Sequence, residues 1–324
     1  MENQTLTKKT ASSEFTLNVS EENKKSKIKK IIVDTLTYVF LTIVAVFSFL
    51  PFYWMVISSL KTEKEYRSSV PTFFPTQKIE WKNYTFLFDA EQLAAADFPI
   101  TDALINTLLV GVISTILGLI IIIISAYAFA RLEFKGKNLV FSLMMLTMMI
   151  PGELFTTTNF ITVGKLGWNG TYVVMIVPFL VSFYYIFLLR NAFKQIPDSL
   201  YQAAKVDGCS DLGYLIKVMV PLTAPTLTSV ALLKFIGVWN TYIWPRLVNK
   251  KDKSMQLISN WVMQGFADTK GYFDYAQTGM VGQGESLVSV KMAAVCLVTL
   301  PLVILFIFFR KYIMSGVSKS GTKG

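Results

Sequence analysis

The side chains best suited to covalent chemistry are scarce in this sequence. Histidine is absent, so neither a His-based triad nor a histidine-rich zinc site can be built, and no metal site is expected. Cys209 and Cys296 are the two cysteines; they match no metal or redox spacing and read as unpaired thiols. A Gly-x4-Gly-Lys-Ser/Thr phosphate loop is missing, because Gly136-Lys137 is followed by Asn138 and Gly164-Lys165 by Leu166. Any ATP-driven work must therefore come from another chain. The segment richest in positional signals is RNAFKQIPDSLYQAAKVDGCSDLGYLIKVMVPL, from Arg190 to Leu222. Pro197 sets the chain direction, and Asp198 is placed to cap a helix that starts at Ser199. That helix passes Gln202, Ala203, Ala204 and Asp207 and ends at Gly208, a residue able to take the left-handed conformation. Asp211 is placed to cap a second short helix before Pro221. The small side chains of Ala203 and Ala204 let another backbone approach closely. From the residues alone this helix either docks a partner or lies at a membrane interface as a cap.

The elements that hold this loop follow from composition. Hydrophobic residues make up 53% of the 324 and charged residues 16%, against roughly 45–50% and about 25% in soluble domains. A soluble globule is excluded, and an all-α integral membrane protein with about six transmembrane helices is expected. Crossing about 30 Å of hydrocarbon takes roughly 20 apolar residues with every backbone group paired internally. Six stretches serve: 31–60, 103–130, 138–158, 166–189, 218–245 and 292–309. Residues 1–30 read as a polar cytoplasmic arm, disordered or loosely amphipathic. The apolar run after them is too long for a cleaved signal and reads as an uncleaved first span. Residues 31–314 form the six-span domain, with the loop 197–221 inside it, and 315–324 a short cytoplasmic tail.

Orientation follows from the basic residues. With the N-terminus cytoplasmic, 18 Lys and Arg fall in inner segments and 12 in outer ones, whereas 12 acidic residues lie outside and 8 inside. Both termini are then cytoplasmic, and topology explains the +10 net charge without nucleic acid. Polar residues in spans are costly in lipid and face either a water-filled interior or a neighbouring helix. Asn106, Glu153, Asn159, Tyr184 and Asn240 are the candidate cavity residues, and Lys234 is the one charge within span five. Trp239 and Trp244 read as interface anchors. The first long outer loop, with Pro71, Pro75, Trp81 and Tyr84, is expected to pack as a small cap. The basic cluster Arg246, Lys250, Lys251 and Lys253 reads as a solvated loop or a contact with lipid head groups, with guidance of an anionic sugar as the other reading. The third outer loop carries the Gly-rich GMVGQGES, with Gly279, Gly282, Gln283 and Gly284 flanked by aromatics.

Gln202-Ala203-Ala204, three residues, Gly208, nine residues, then Val218-Met219-Val220-Pro221 resembles the EAA loop of bacterial ABC importer permeases, with Gln202 in place of the usual Glu. LPFYWMVISSLK, SAYAFARLEFKGKN, TMMIPGE, GVWNTYIWP and the ending RKYIMSGVSKSGTKG resemble, in order, segments of the carbohydrate-type permeases. The likeness runs from about residue 30 to 324 and is strongest to the second, smaller permease subunit of the maltose transporter family. It implies the type I importer permease fold in a bacterial cytoplasmic membrane. The implied function is half of a translocation pathway for carbohydrate, oligosaccharide in particular. It implies as partners a second homologous permease, two ATPase subunits that hold ATP and Mg, and an extracellular solute-binding protein. In such families the EAA helix docks on an ATPase subunit, which assigns ATPase coupling to Gln202, Ala203, Ala204, Asp207, Gly208 and Pro221. Gln202 removes a charge from that face and leaves a hydrogen bond in place of a salt bridge. The Gly-rich outer loop then contacts the binding protein. The other classes are a secondary transporter, which would bury coupling carboxylates or show repeated halves, and a membrane scaffold that does not transport.

Overall fold

The computed structural model describes residues 2–88, 100–249, 255–267 and 288–318. Gly279, Gly282, Gln283 and Gly284 lie outside the described residues, as do Lys250, Lys251 and Lys253 of the basic cluster. The chain divides into two units, residues 1–57 and 58–324. In the first, the arm, expected to be disordered or loosely amphipathic, is helical and continuous with span one, in a helix from Glu2 to Ser59. Residues 2–50 contain neither Gly nor Pro, so nothing in the arm interrupts propagation from the apolar half. Thr37 and Thr42 return their hydroxyls to the carbonyls of Val33 and Tyr38, both at 2.8 Å, which satisfies them without a partner helix.

Among the described residues, three helices are long and apolar enough to cross a membrane unbroken, and three bent pairs bring the number to six. The sequence reading took the middle spans as single helices; the structure corrects this. Span three is Lys137–Thr147 followed by Gly152–Lys165, at 88° to each other. The break sits at Pro151, where the ring has no N–H to give and the chain turns extended. Span four joins Tyr172–Phe179 to Phe183–Lys194 at 46°, and span five joins Asp211–Leu222 to Ala224–Trp239 at 82°. Pro221 therefore lies before the bend of span five rather than at the start of a straight crossing. A π-helical turn at Leu215–Met219 widens the backbone just ahead of it, where a proline ring would otherwise meet the carbonyl four residues back.

Span two, Ile100–Ala130, packs against the second half of span four and against Ala224–Trp239, which in turn packs on the last helix, Val288–Ser318. Two glycines on span two permit the approach. A Cβ at Gly111 would stand 2.8 Å from the Phe235 ring, and one at Gly118 would stand 2.0 Å from Lys234 Cε and 3.1 Å from the Leu180 carbonyl oxygen. Gly118→Ala is expected to destabilise the bundle by about 1–3 kcal/mol. The loss combined with Lys234→Ala should be smaller than the sum of the two single losses, because the second change empties the space the first needs. Thermal unfolding in detergent across the four variants measures this.

The first long loop folds as a cap, as expected. Asn83 Nδ2 donates to the carbonyls of Ser59 and Lys61 at 2.8 and 2.9 Å, and Ser59 Oγ meets Tyr84 Oη at 2.7 Å. Buried Glu65 organises its centre. Its Oε1 accepts from the backbone N–H and hydroxyl of Thr76 at 2.7 and 2.9 Å and from the Thr72 hydroxyl at 3.0 Å. Burial pushes the carboxyl's pKa up, but these donors outweigh it and hold it below the ordinary value. The stabilisation is present above the unfolded-state pKa of about 4.3 and is lost as pH falls through the lower folded value. Hydrogen exchange of residues 62–84 should accelerate as the medium is acidified through that range. In Glu65→Gln it should be fast already at neutral pH and should not change further.

Candidate functional site

Loop 195–222 forms a short helix, Asp198–Val206, held from inside and open outside. Asp198 is not its N-cap; Pro197 occupies that position without a side-chain cap bond. Likewise Ser210, not Asp211, caps the next helix, its hydroxyl accepting from Gly213 N at 3.1 Å. The C-terminus is as expected. Gly208 has φ +73°, its N–H donates to Lys205 O at 3.1 Å, and Cys209 N–H reaches back to Ala204 O at 2.8 Å. This pair of bonds is a Schellman closure, and it requires the left-handed residue to be where the glycine is.

The two alanines do not share a face. Tyr201 and Ala204 pack against the inner cluster of Ile186, Leu189, Phe193, Tyr214 and Met219. Gln202, Ala203, Asp207 and Gly208 are exposed, and Val206 is 88% exposed. The outward surface presents Gln202, Ala203 and Gly208 beside the exposed Leu200 and Val206, with Asp198, Lys205 and Asp207 as its charges.

The freed carboxylates are spent on anchors. Arg131, directly after span two, donates through Nη1 to Asp198 and through Nη2 to the carbonyls of Phe193 at 3.2 Å and Ile196 at 2.5 Å. Arg190 in span four returns the favour, its Nε donating to Phe129 O at 3.1 Å and its guanidinium lying 3.9 Å from the centre of the Phe141 ring. Each arginine caps the carbonyl end of the other's helix, where the helix dipole favours a cation. At the far end of the loop helix, Asp211 Oδ1 accepts from Lys205 Nζ at 2.8 Å, Tyr201 Oη at 2.9 Å and Tyr127 Oη of span two at 3.2 Å. The bond to Asp211 raises the Lys205 pKa. The helix is therefore pinned near both ends to the last turn of span two.

The candidate cavity residues are not brought together. Asn106 is an inter-helix link, accepting from Tyr172 Oη at 2.6 Å and donating to Gln256 O at 3.3 Å. Glu153, Asn159, Tyr184 and Asn240 are exposed. Trp239 and Trp244 are buried in packed clusters rather than placed as interface anchors, and Trp244 Nε1 donates to Val174 O at 2.9 Å. A cavity of about 280 Å³ opens instead at the break of span four, lined by residues that include Ser182, Tyr185, Lys234 and Thr241. None of the five candidates lines it. In the sequence Arg131 is a topology charge and lies within the segment SAYAFARLEFKGKN, directly after a 28-residue uncharged run, and neither signal names its partners.

A multi-span helical membrane protein with a pinned, outward-facing loop helix is the class this architecture defines. Residues 118–319 match the family described as binding-protein-dependent transport system inner membrane component, and the chain belongs to that family of transport permeases. It is 28% identical to an arabinooligosaccharides transport system permease protein, AraQ, of Halalkalibacterium halodurans, over 90% of this chain and 95% of the relative. It is 30% identical to a trehalose/maltose transport system permease protein, MalG, of Thermococcus litoralis, over 87% of this chain and 94% of that one. Its fold is similar to a chain in the crystal structure of a bacterial ABC transporter involved in alginate import, with a TM-score of 0.75 at 22% identity, over 87% of this chain and 96% of the other.

Proposed function

We propose that this chain is one of two permease subunits of an ATP-driven carbohydrate importer, with oligosaccharide as cargo. The observation that carries the coupling part is the helix Asp198–Val206, exposed along Gln202, Ala203 and Val206 and anchored to span two by Arg131 and Asp211. An ATPase subunit takes this face, and Gln202, Ala203, Ala204, Asp207, Gly208 and Pro221 transmit its closure to the spans. ATP and Mg are held by two such subunits and none by this chain. The carbohydrate reading is supported by the sugar-transport names of the relatives. A solute-binding protein delivers cargo from outside and touches Gly279, Gly282, Gln283 and Gly284. The six-span domain 31–314 sits in the bacterial cytoplasmic membrane, with residues 1–30 and 315–324 in the cytoplasm. Candidate pathway residues Glu153, Asn159, Tyr184 and Asn240, exposed on this chain, face the second permease or the route between the two, whereas Asn106 links helices within the chain.

Single cysteines at Ser69 and Ser320 test the topology: they should label from opposite sides of the membrane. Labelling of both from one side would overturn it. Deletion of the gene should abolish uptake of an oligosaccharide and spare peptides and metals; the reverse pattern would overturn the cargo class.

A further inference from the structure

Lys234 is a buried cation in the bundle. It lies in Ala224–Trp239, ten residues after its start, and only 5% of it is exposed. Its ammonium donates to Phe179 O at 2.7 Å and, more weakly, towards Leu180 O at 3.5 Å. These are carbonyls left open where span four breaks. No carboxylate pairs with it among the described residues, so the broken helix end offers partial charges against a full one. Among the described residues, these two backbone carbonyls are the ammonium's hydrogen-bond acceptors. A mere clamp on two neutral carbonyls would be served by a hydroxyl or an amide. Backbone carbonyls can satisfy a lysine inside a membrane, but one that also borders an open cavity is placed to meet an opposite charge there.

The surroundings say what kind of anion. Lys234 lines the cavity of about 280 Å³ with Phe179 and Tyr185, whose rings suit the apolar faces of a sugar, and with Ser182 and Thr241, whose hydroxyls suit its oxygens; Trp244 backs the wall from within the packed core. The size is at the lower edge of small-ligand pockets, roughly 300 Å³, and fits one ring of a longer chain. Gly118 keeps the lysine's path open from the other side. We propose that Lys234 reads the carboxylate of a uronic sugar unit in this cavity, so that the cargo is an acidic oligosaccharide. This rests on the carbohydrate-permease reading above and narrows it.

The test uses the complete importer, with its second permease, ATPases and binding protein, in ATP-loaded vesicles. The probes are oligogalacturonates and alginate oligomers, each beside its carboxyl-reduced neutral counterpart, and neutral gluco- and arabino-oligosaccharides. Wild type should take up at least one acidic oligomer and its neutral counterpart at least about tenfold less well, the worth of one hydrogen bond to a charged group. Lys234→Met should raise KM for that acidic oligomer by a similar factor and leave maximal uptake and complex assembly unchanged; Lys234→Arg should retain most of the preference. Uptake of neutral oligomers alone by wild type overturns the proposal while leaving the carbohydrate reading intact. A Met variant that loses acidic and neutral uptake equally, or loses neither, also overturns it. If the Met variant fails to assemble, the wild-type comparison and Lys234→Arg decide. Uptake of no saccharide at all removes the underlying reading.

Discussion

Gly208→Val and Ala203→Leu are expected to abolish both uptake and cargo-stimulated ATP hydrolysis while the permease pair assembles at normal levels. At Gly208 the backbone has φ +73°. A β-branched residue there costs upward of about 1 kcal/mol. Nothing else lies within 4 Å of a Cβ at that position, so the cost is conformational and local. It is met by opening the bonds to Lys205 and Ala204, which redirects a helix whose fit on a partner depends on direction. Ala203 is exposed and touches no part of the core cluster, so a leucine there leaves the fold alone and lifts the docked surface away. Uptake and hydrolysis in vesicles at matched complex levels measure both. Full activity in both variants would make the loop a cap without a partner.

The second large effect is expected at the anchors. Arg131→Ala removes the bonds to Asp198, Phe193 O and Ile196 O together and leaves two buried carbonyl ends uncapped, a cost of about 1–3 kcal/mol for each group left unsatisfied. Asp211→Asn with Tyr127→Phe cuts the link at the other end of the helix while preserving shape. In both, the docking face itself is intact, so the ATPase subunits should still bind. Hydrolysis should then persist with uptake reduced by about tenfold or more, an uncoupled behaviour that the Gly208 and Ala203 variants do not show. Equal loss of hydrolysis and uptake would mean that the anchors only hold the loop together.

Much of this architecture was legible in the sequence, for identifiable reasons. Membrane crossing is dictated by apolar run length, and all six runs fall on helices or bent helix pairs. The Gly208 closure was legible because only one residue type takes that conformation at low cost. The breaks were not. Hydropathy adds up apolar residues without regard to direction, so apolar stretches on either side of Pro151 or Ser182 merge into one apparent span. Pro151, Pro178, Pro221 and Pro225 carried the missing information. The cap residues were each displaced by one position, Pro197 for Asp198 and Ser210 for Asp211, because a short polar side chain beside the true cap carries the same signal. Both displaced carboxylates proved to be anchors instead. Arg131 with Asp198 and Tyr127 with Asp211 are 67 and 84 residues apart, and no local pattern connects residues at that distance.

The central claim is that this chain moves cargo with energy supplied by another subunit. The most direct measurement is accumulation of labelled oligosaccharide in vesicles built from purified subunits, with hydrolysis followed in the same sample. Accumulation should require this chain, the second permease, the ATPase subunits, the binding protein and ATP together, and this chain alone should hydrolyse nothing. Accumulation driven by an ion gradient in vesicles holding only this chain, or ATP turnover by it in isolation, would contradict the account.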